Sequence, residues 1–382
     1  MAAPAAVNRS RAIAPPADIA PLAGYTVAVA SDRRRHALAA LLEAAGAKIA
    51  GVQAVRAFSV ADDPVVRDAT RAVLSAPVDE LLVASDFGFR AWLRAARGWG
   101  LADELVAAFA RPRLLASNSR AADALRDIGL AEIWSTAAAS TEELVRYLLA
   151  QPLAGKRMVV QSDGMSVAEL CHAMRAAGAE VVEVATYRCQ APAHADLLRR
   201  LGDQIVNRQV DGVAFTGAPA VAYLLAQAQV DHRRDDVLNA LIDEVPVLCL
   251  GELTAADLVA TGVPVLTPAG PYLDELVALA CTAVPRQAVR LEAAGYRMEV
   301  RGQAVVLNDE LIPVPPGPIT VLRALARHPG RVLSCADIRR AAPSWAGVED
   351  HAIEMAVSRL RRTLQDSDLI QTVMKRGYRL AA

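Results

Sequence analysis

The feature that most constrains this chain is a repeated alternation of short strand-like runs and longer helical segments between Tyr25 and about residue 283. The first unit is Thr26–Ala30 followed by Ala37–Glu43, an Ala- and Leu-rich segment that stops at Gly46. Further strand-like runs, each followed by a helical pattern, are Leu81–Ala84, Arg113–Ala116, Met158–Gln161, Val181–Val184, Gly212–Phe215 and Val247–Leu250. This rhythm predicts an α/β fold with parallel sheets that helices cover on both faces.

Length and composition set the class of protein. A chain of 382 residues is too long for one ordinary core, so we expect more than one domain. With 54% hydrophobic and 22% charged residues it is predicted to be globular, apart from a flexible Pro- and Ala-rich tail at residues 1–21. It has neither an uninterrupted apolar span nor a signal peptide, which predicts a cytoplasmic protein with no membrane partner.

Several kinds of site are not expected. The five cysteines are scattered without a Cys-x-x-Cys pair, so neither structural zinc nor a disulfide framework is predicted. The βα array has no P-loop, no Gly-x-Gly-x-x-Gly, no Gly-x-Ser-x-Gly and no His-Glu-x-x-His, and we expect no metal and no cofactor. A phosphorylated receiver domain has a pair of acidic residues after its first strand, whereas this chain has only Asp32 there. Control by phosphorylation is therefore not expected.

The C-terminal segment differs from the rest in charge and in element order. From Arg286 to Ala382 there are 15 Lys and Arg against 10 Asp and Glu, a net charge of +5, whereas the remainder carries −6. A Pro-containing break at about residues 284–290 reads as a linker. After it we predict strands at Tyr296–Val300 and Val305–Leu307, then helices at about 317–327, 336–341 and 348–364, and a closing hairpin. This is the order of a winged helix with the charge of a polyanion-binding domain.

The long third helix has two different faces. Ile353, Val357, Leu360 and Leu364 recur at helical spacing and should face the core. The outer stripe carries His351, Met355, Ser358 and Arg362, flanked by Arg359 and Arg361. Such a stripe suits a DNA major groove, although a merely solvated basic helix gives the same pattern.

Two stretches of this segment resemble the end of the OmpR/PhoB-type response-regulator domain. They are Ala356-Val-Ser-Arg-Leu-Arg-Arg-Thr-Leu364 and Ile370-Gln-Thr-Val-Met-Lys-Arg-Gly-Tyr-Arg-Leu380, preceded by the turn His328-Pro-Gly-Arg-Val-Leu-Ser334. The resemblance covers about residues 291–382 and implies a winged helix-turn-helix that binds double-stranded DNA, as a homodimer in many relatives. It implies DNA contacts from His351, Met355, Ser358, Arg359, Arg361 and Arg362, and from Lys375 and Arg376 in the wing. Arg can fork onto guanine O6 and N7, whereas Lys375 and Arg376 are expected to attract phosphates.

The larger α/β part resembles uroporphyrinogen-III synthase from about residue 22 to 283. The supporting stretches are Ala39-Ala-Leu-Leu-Glu-Ala-Ala-Gly-Ala47, Leu82-Val-Ala-Ser-Asp-Phe-Gly88, Val184-Ala-Thr-Tyr-Arg188, Ala214-Phe-Thr-Gly-Ala-Pro-Ala-Val221 and Leu250-Gly-Glu-Leu-Thr-Ala255. The resemblance implies two parallel-sheet domains joined by two linking strands, one formed by residues 22–55 and 190–283 and the other by 56–189. The family substrate, hydroxymethylbilane, is an open tetrapyrrole with eight carboxylates that is cyclised in the cleft between the domains.

The same resemblance implies the cleft residues. Tyr187 stands where the family has a tyrosine that assists loss of the substrate hydroxyl group; the alternative is a half-buried strand aromatic. The predicted ligand-binding residues are Arg33, Arg34, Arg35, Ser85, Gly164, Thr216 and Thr254. The arginines follow the first strand, where they could pair with carboxylates or be solvated, and Thr216 could equally be a turn residue.

Departures from the family pattern leave the activity open. The segment Ala84-Ser-Asp-Phe87 and the loop Gly251-Glu-Leu-Thr254 place Asp86 and Glu252 where a polycarboxylate would be repelled. The fusion resembles actinobacterial regulators of nitrate and nitrite assimilation, in which the cleft would bind a tetrapyrrole-related signal or another regulator protein. The alternatives are an active uroporphyrinogen-III synthase that also binds DNA, and a degenerate cleft that serves only as a docking scaffold.

Overall fold

A computed structural model describes residues 19–31, 35–54, 56–60, 63–130, 133–135, 147–148, 150–162, 168–191, 196–269, 273–342, 345, 347–365 and 368–381. Arg33, Arg34 and Gly164 lie outside the described residues, as does most of the predicted N-terminal tail. The predicted fold class is confirmed: two parallel α/β sheets precede a C-terminal winged helix.

The first module is built around sheet 1, a five-stranded parallel sheet with strand order β12-β11-β10-β1-β2. The chain enters it early and returns to it late. Its elements are β1 (Thr26–Ser31), α1 (Arg35–Ala44), β2 (Lys48–Gln53), α7 (Asp196–Val206), β10 (Gly212–Phe215), α8 (Ala218–Val230), α9 (Arg234–Asp243), β11 (Val247–Cys249), α10 (Glu252–Val259), β12 (Val265–Leu266) and α11 (Leu273–Ala283). All six residues of β1 are buried because helices cover both faces of the sheet.

The second module is built around sheet 2, also parallel, with strand order β6-β5-β4-β7-β8. Its elements are α2 (Pro64–Leu74), β4 (Glu80–Val83), α3 (Asp86–Gly98), α4 (Ala102–Ala108), β5 (Arg113–Ala116), α5 (Ser119–Arg126), β6 (Ile133–Ser135), β7 (Arg157–Ser162), α6 (Ala168–Ala176) and β8 (Glu180–Ala185). Phe89, Trp92 and Phe109 form the aromatic centre of its core, with ring centroids 5.4–6.3 Å apart.

Two short antiparallel strands connect these modules: β3 (Arg56–Ser59) and β9 (Tyr187–Gln190). Ser59 pairs with Tyr187 and Arg56 pairs with Gln190. The pair places the carboxyl end of β8, and with it Tyr187, at the junction between the modules.

The C-terminal module starts with a four-stranded antiparallel sheet 3, where the sequence had predicted two strands. Its elements are β13 (Val289–Ala293), β14 (Tyr296–Val300), β15 (Ala304–Leu307), β16 (Glu310–Pro313), α12 (Pro316–Ala326), α13 (Cys335–Arg340), α14 (Asp350–Leu364), β17 (Ile370–Val373) and β18 (Gly377–Leu380). The additional strands depend on two-residue turns at Ala294-Gly295 and Asn308-Asp309, where all four residues have positive φ. No helix in the described part of the chain is long and apolar enough to cross a bilayer.

The C-terminal module is docked on the sheet 1 module through polar contacts. The Tyr25 hydroxyl donates to Glu299 at 3.2 Å, and the Gln303 amide donates to the Gly24 carbonyl at 2.6 Å. On α12, Arg323 donates to the Asp211 carboxylate at 3.0 Å. These bonds join residues more than a hundred positions apart in sequence.

Candidate functional site

Helix α14 has the two faces that its sequence predicts. Ile353, Val357, Leu360 and Leu364 are buried together with Ala356. The helix ends at Gln365, which has φ of 55°, and Arg361 and Arg362 lie in its last turn, where positive charge complements the helix dipole. The core contacts therefore fix which side chains remain outside.

The exposed face of α14 carries most of the side chains that were predicted to contact DNA: His351, Met355, Ser358, Arg359 and Arg362. His351 Nδ1 lies 3.7 Å from the carboxylate of Glu354 on the same face. Met355 is 41% exposed although it is apolar, which suits contact with a thymine methyl group. These residues form one continuous surface, the α14 face.

Arg361 differs from its neighbours because its guanidinium is used within the domain. It donates twice to the Ile370 carbonyl, at 2.9 and 2.6 Å, and once to the Thr372 hydroxyl at 2.8 Å. Arg361 thus joins α14 to β17, and its predicted DNA contact would have to compete with three internal hydrogen bonds.

The wing is the hairpin β17–β18, whose turn consists of Met374, Lys375 and Arg376. All three side chains are exposed, Met374 by 82%. The hairpin is held by reciprocal bonds between Leu333 and Tyr378. Gly377 has φ of 129°, and a Cβ there would lie 2.0 Å from the Leu333 carbonyl oxygen, so only glycine fits. Lys375 and Arg376 therefore lie on the exposed turn of a hairpin whose position is fixed by its contacts with Leu333.

Hydroxyl groups gather at the carboxyl edge of sheet 1, where ligands bind in open α/β sheets. Ser31 ends β1 and its hydroxyl is hydrogen-bonded to that of Thr216, which follows β10. Thr254 lies in the first turn of α10 and is 7% exposed. Arg35, the first residue of α1, is half-buried and its guanidinium contacts the ring of His36 at 3.3 Å.

The carboxyl edge of sheet 2 carries a buried polar network. Ser85 caps α3, accepting the Gly88 amide at 3.4 Å, and its own amide donates to Gln161 Oε1 at 3.2 Å. Gln161 Nε2 in turn donates to the Thr186 hydroxyl at 2.9 Å. The network fixes the segment that immediately precedes Tyr187.

Tyr187 packs against the start of α3. Its ring meets Phe87 edge-on, with centroids 5.9 Å apart, and it is 8% exposed. A Cβ on Gly88 would lie 2.6 Å from Tyr187 and 2.2 Å from Gln161, so the glycine permits this close approach. Tyr187 is thus a buried aromatic at the junction of the modules, with Ser85 and Gln161 in the same cluster.

Two acidic residues near this network, Asp86 and Glu183, have hydrogen-bond or ion-pair partners. Asp86 lies in the first turn of α3, where the helix dipole favours a carboxylate, and pairs with Arg120 at 3.2 Å. Ser162, at the end of β7, donates to Glu183 at 2.8 Å. The repulsion expected from Asp86 is therefore reduced by its partner.

Ser31, Gln161 and Thr186 were not predicted as site residues. Gln161 and Ser162 end a buried strand, and Ser31 ends another. A polar residue at the carboxyl end of a buried strand is the signal that could have identified them.

Comparisons with known proteins divide the chain in the same way. Residues 36–278 match the family described as "Uroporphyrinogen-III synthase HemD", and residues 309–380 match "Transcriptional regulatory protein, C terminal". A solved mutant uroporphyrinogen III synthase from the extremely thermophilic bacterium Thermus thermophilus is similar, with a TM-score of 0.52 and 26% identity, over 64% of this chain and 91% of that one. Response regulator protein PmrA of Pseudomonas aeruginosa is 37% identical over 91 residues, which are 24% of this chain and 38% of PmrA. This chain thus spans little more than a third of that relative.

Proposed function

We propose that this chain, which belongs to the uroporphyrinogen-III synthase HemD family, is a transcription regulator whose synthase-like cleft controls its OmpR/PhoB-type DNA-binding domain. The C-terminal domain is of the type that binds double-stranded DNA. The controlling role of the cleft, with a tetrapyrrole-related molecule or another regulator protein as its signal, is the proposal.

The α14 face carries the DNA-binding part of the proposal. Arg359 and Arg362 are exposed on the turns that follow His351 and Met355, and Lys375 and Arg376 are exposed in the wing. A guanidinium can read guanine through two hydrogen bonds, whereas a wing lysine supplies a salt-dependent attraction to phosphates. The proposed roles differ in a way that binding experiments can separate.

The test begins with selection of a preferred duplex from a random library by the full-length protein. Binding of that duplex and of an unrelated one is then measured by fluorescence anisotropy for the wild type, Arg359→Ala and Lys375→Ala. We expect Arg359→Ala to cost about 1–3 kcal/mol on the selected duplex and less on the unrelated one. Lys375→Ala should weaken both equally. Equal losses on both duplexes for Arg359→Ala would contradict base reading.

A second function, uroporphyrinogen-III synthase activity in the same chain, is favoured by the placement of Tyr187. Tyr187 lies beside the Ser85–Gln161–Thr186 network at the junction of the modules. In this alternative the cleft cyclises hydroxymethylbilane and the chain is a lyase that also binds DNA. To distinguish the two functions, the protein is incubated with freshly generated hydroxymethylbilane and the type III and type I products are measured. Type III product that is lost in Tyr187→Phe would mean an active synthase. Spontaneous type I product alone would mean that the cleft is a sensor or a scaffold.

The regulated genes are proposed to be those of nitrate and nitrite assimilation. Nitrite reductase requires sirohaem, which descends from uroporphyrinogen III, so a synthase-like sensor would match cofactor supply to demand. The assignment to these genes is supported by the resemblance to actinobacterial regulators and by the need of nitrite reductase for sirohaem. The test compares how nitrate changes the nitrite reductase transcript level in the parent strain and in a strain that lacks this gene. The same response in both strains would contradict this proposal.

A further inference from the structure

A cavity of about 320 Å³ lies between the C-terminal module and the sheet 1 module. One wall contains Arg208, before β10, and Glu244, which caps the end of α9. The other wall contains Arg323 and Arg327 from the end of α12. The volume is that of a small-molecule site, and such sites are frequent at interfaces between domains.

Four guanidinium groups and three carboxylates line this cavity; they belong to Arg208, Arg301, Arg323 and Arg327, and to Asp211, Asp243 and Glu244. Arg323 already makes three hydrogen bonds: it donates to the Arg208 carbonyl at 3.1 Å, the Gly302 carbonyl at 2.6 Å and Asp211 at 3.0 Å. Arg208 and Arg327 both pair with the same oxygen, Oε2 of Glu244. Nε of Arg208 is buried and has no hydrogen-bond partner among the described residues. Arg208 therefore has a buried N–H donor without an acceptor, and it shares one carboxylate oxygen with Arg327.

The electrostatics agree with this shortage of acceptors. Burial, followed by the charges of Arg327 and Arg323, lowers the pKa of Arg208 to about 10. Asp243, which also lines the cavity, acts in the opposite direction but does not cancel the effect. An added anion would stabilise the charged form of Arg208 and supply the missing acceptors.

We propose that this cavity binds a small anion with at least two carboxylate or phosphate groups, held by Arg208 and Arg327. Every described residue that lines the cavity belongs to the sheet 1 module, to the C-terminal module or to the connection between them. The site is therefore separate from the cleft between the two α/β modules. Because its walls belong to two modules, a bound anion would also hold the DNA-binding module against sheet 1.

The experiment is isothermal titration calorimetry of the full chain with citrate and with inorganic phosphate, at constant ionic strength. The proteins are the wild type, Arg208→Gln, Arg327→Gln and the control Arg200→Gln, which removes an exposed arginine on α7. We expect one site per chain that binds citrate about ten-fold more weakly in each cavity variant, because one charge-assisted bond is lost. Arg200→Gln should bind as the wild type does. Binding of citrate alone would identify a polycarboxylate site, and binding of phosphate as well would show that phosphate groups are also accepted. Binding of phosphate without citrate would contradict the requirement for two anionic groups.

Glu244→Gln tests the proposal in the opposite direction. It keeps every arginine of the cavity and removes the charge of the carboxylate that pairs with both Arg208 and Arg327, so citrate should bind more tightly than to the wild type. This variant remains informative if Arg208→Gln does not fold. The proposal is overturned if neither probe binds the wild type at up to about 10 mM, if all arginine variants bind equally, or if Glu244→Gln fails to tighten binding. None of these outcomes depends on whether the α14 face binds DNA.

Discussion

Two nearly adjacent arginines of α14 have different surroundings. Arg359 is exposed on the α14 face, whereas Arg361 donates to Ile370 and Thr372 and joins the helix to the wing. The two side chains are chemically identical, and the pattern of charges along the sequence does not separate them. Their surroundings differ because residues two apart on a helix point about 200° apart, so only one of them faces β17.

Arg361→Ala is expected to lower the free energy of unfolding by about 2 kcal/mol, because it removes the charge-assisted hydrogen bonds of Arg361 and leaves the Ile370 carbonyl without these donors. Arg359→Ala should change that free energy by less than about 0.5 kcal/mol because the residue is exposed. Urea denaturation followed by circular dichroism gives both values. Equal stability of the two variants would show that the Arg361 contacts do not stabilise the wing.

Gly88→Ala should destabilise the protein by about 1–3 kcal/mol through overpacking. The added Cβ would lie 2.2 Å from Gln161 and 2.6 Å from Tyr187, so the polar network or the tyrosine must move. The control is Gly98→Ala in the same helix, where a Cβ meets nothing within 4 Å and stability should be kept. The midpoints of chemical denaturation of the two variants test this difference. Equal midpoints for Gly88→Ala and Gly98→Ala would mean that Gln161 and Tyr187 do not pack tightly against Gly88.

At the scale of single elements, helix α13 depends on a reciprocal cap. The Ser334 hydroxyl accepts the Asp337 amide, and the Asp337 carboxylate accepts the Ser334 amide, in a capping box. Leu333 directly precedes the cap and is hydrogen-bonded through its backbone to Tyr378 of the wing. The cap thus contributes to the position of the wing as well as to the start of α13.

The capping box should make part of the stability depend on pH. Hydrogen bonds from the Ser334 side chain and then from its amide lower the pKa of Asp337. A lowered carboxyl pKa stabilises the fold above the unfolded value of about 3.9, and the contribution disappears as pH falls through the folded pKa. Asp337→Ala should therefore lower the melting temperature at pH 7, and the difference from wild type should shrink as the pH falls below that unfolded value. A difference that stays constant over this range would argue against the ionised cap.

At the scale of the whole molecule, the described contacts attach the DNA-binding module to the sheet 1 module. Arg323 bonds to Asp211, and the Arg301 guanidinium donates to the Ala23 carbonyl at 2.7 Å. The sheet 2 module is connected to sheet 1 through β3 and β9. A motion about these linking strands would carry the DNA-binding module together with sheet 1, and would move sheet 2 relative to DNA.

Arg323→Ala should loosen this docking. Removing one partner of a largely buried ion pair costs roughly 3 kcal/mol, here in the contact between modules rather than within either core. We expect faster proteolysis of the connection near residues 284–290, with little change in the resistance of each module. Arg297→Ala is the control because that arginine is exposed and pairs with Asp309 within sheet 3. Cleavage of both variants at the wild-type rate would indicate that the interface does not rest on Arg323.

The sequence by itself determined the types and order of most elements. Short β-branched runs predicted the central strands of both sheets, and helical spacing predicted the three helices of the winged helix, because buried strands and buried helix faces impose those patterns locally. Strands β13 and β16 were missed, since an edge strand beside a positive-φ turn has little apolar pattern of its own. On α14 the inward residues were predicted correctly for the same local reason.

Only the tertiary structure decided which polar residues share a site. Ser31 and Thr216 are 185 positions apart and Gln161 and Ser85 are 76 apart, so no sequence window contains either pair. The cavity around Arg208 and Arg327 exists only because two modules dock, and Arg361 has internal hydrogen-bond partners only because β17 returns to α14. Local periodicity encodes burial, whereas contacts between distant residues depend on how separately folded pieces pack.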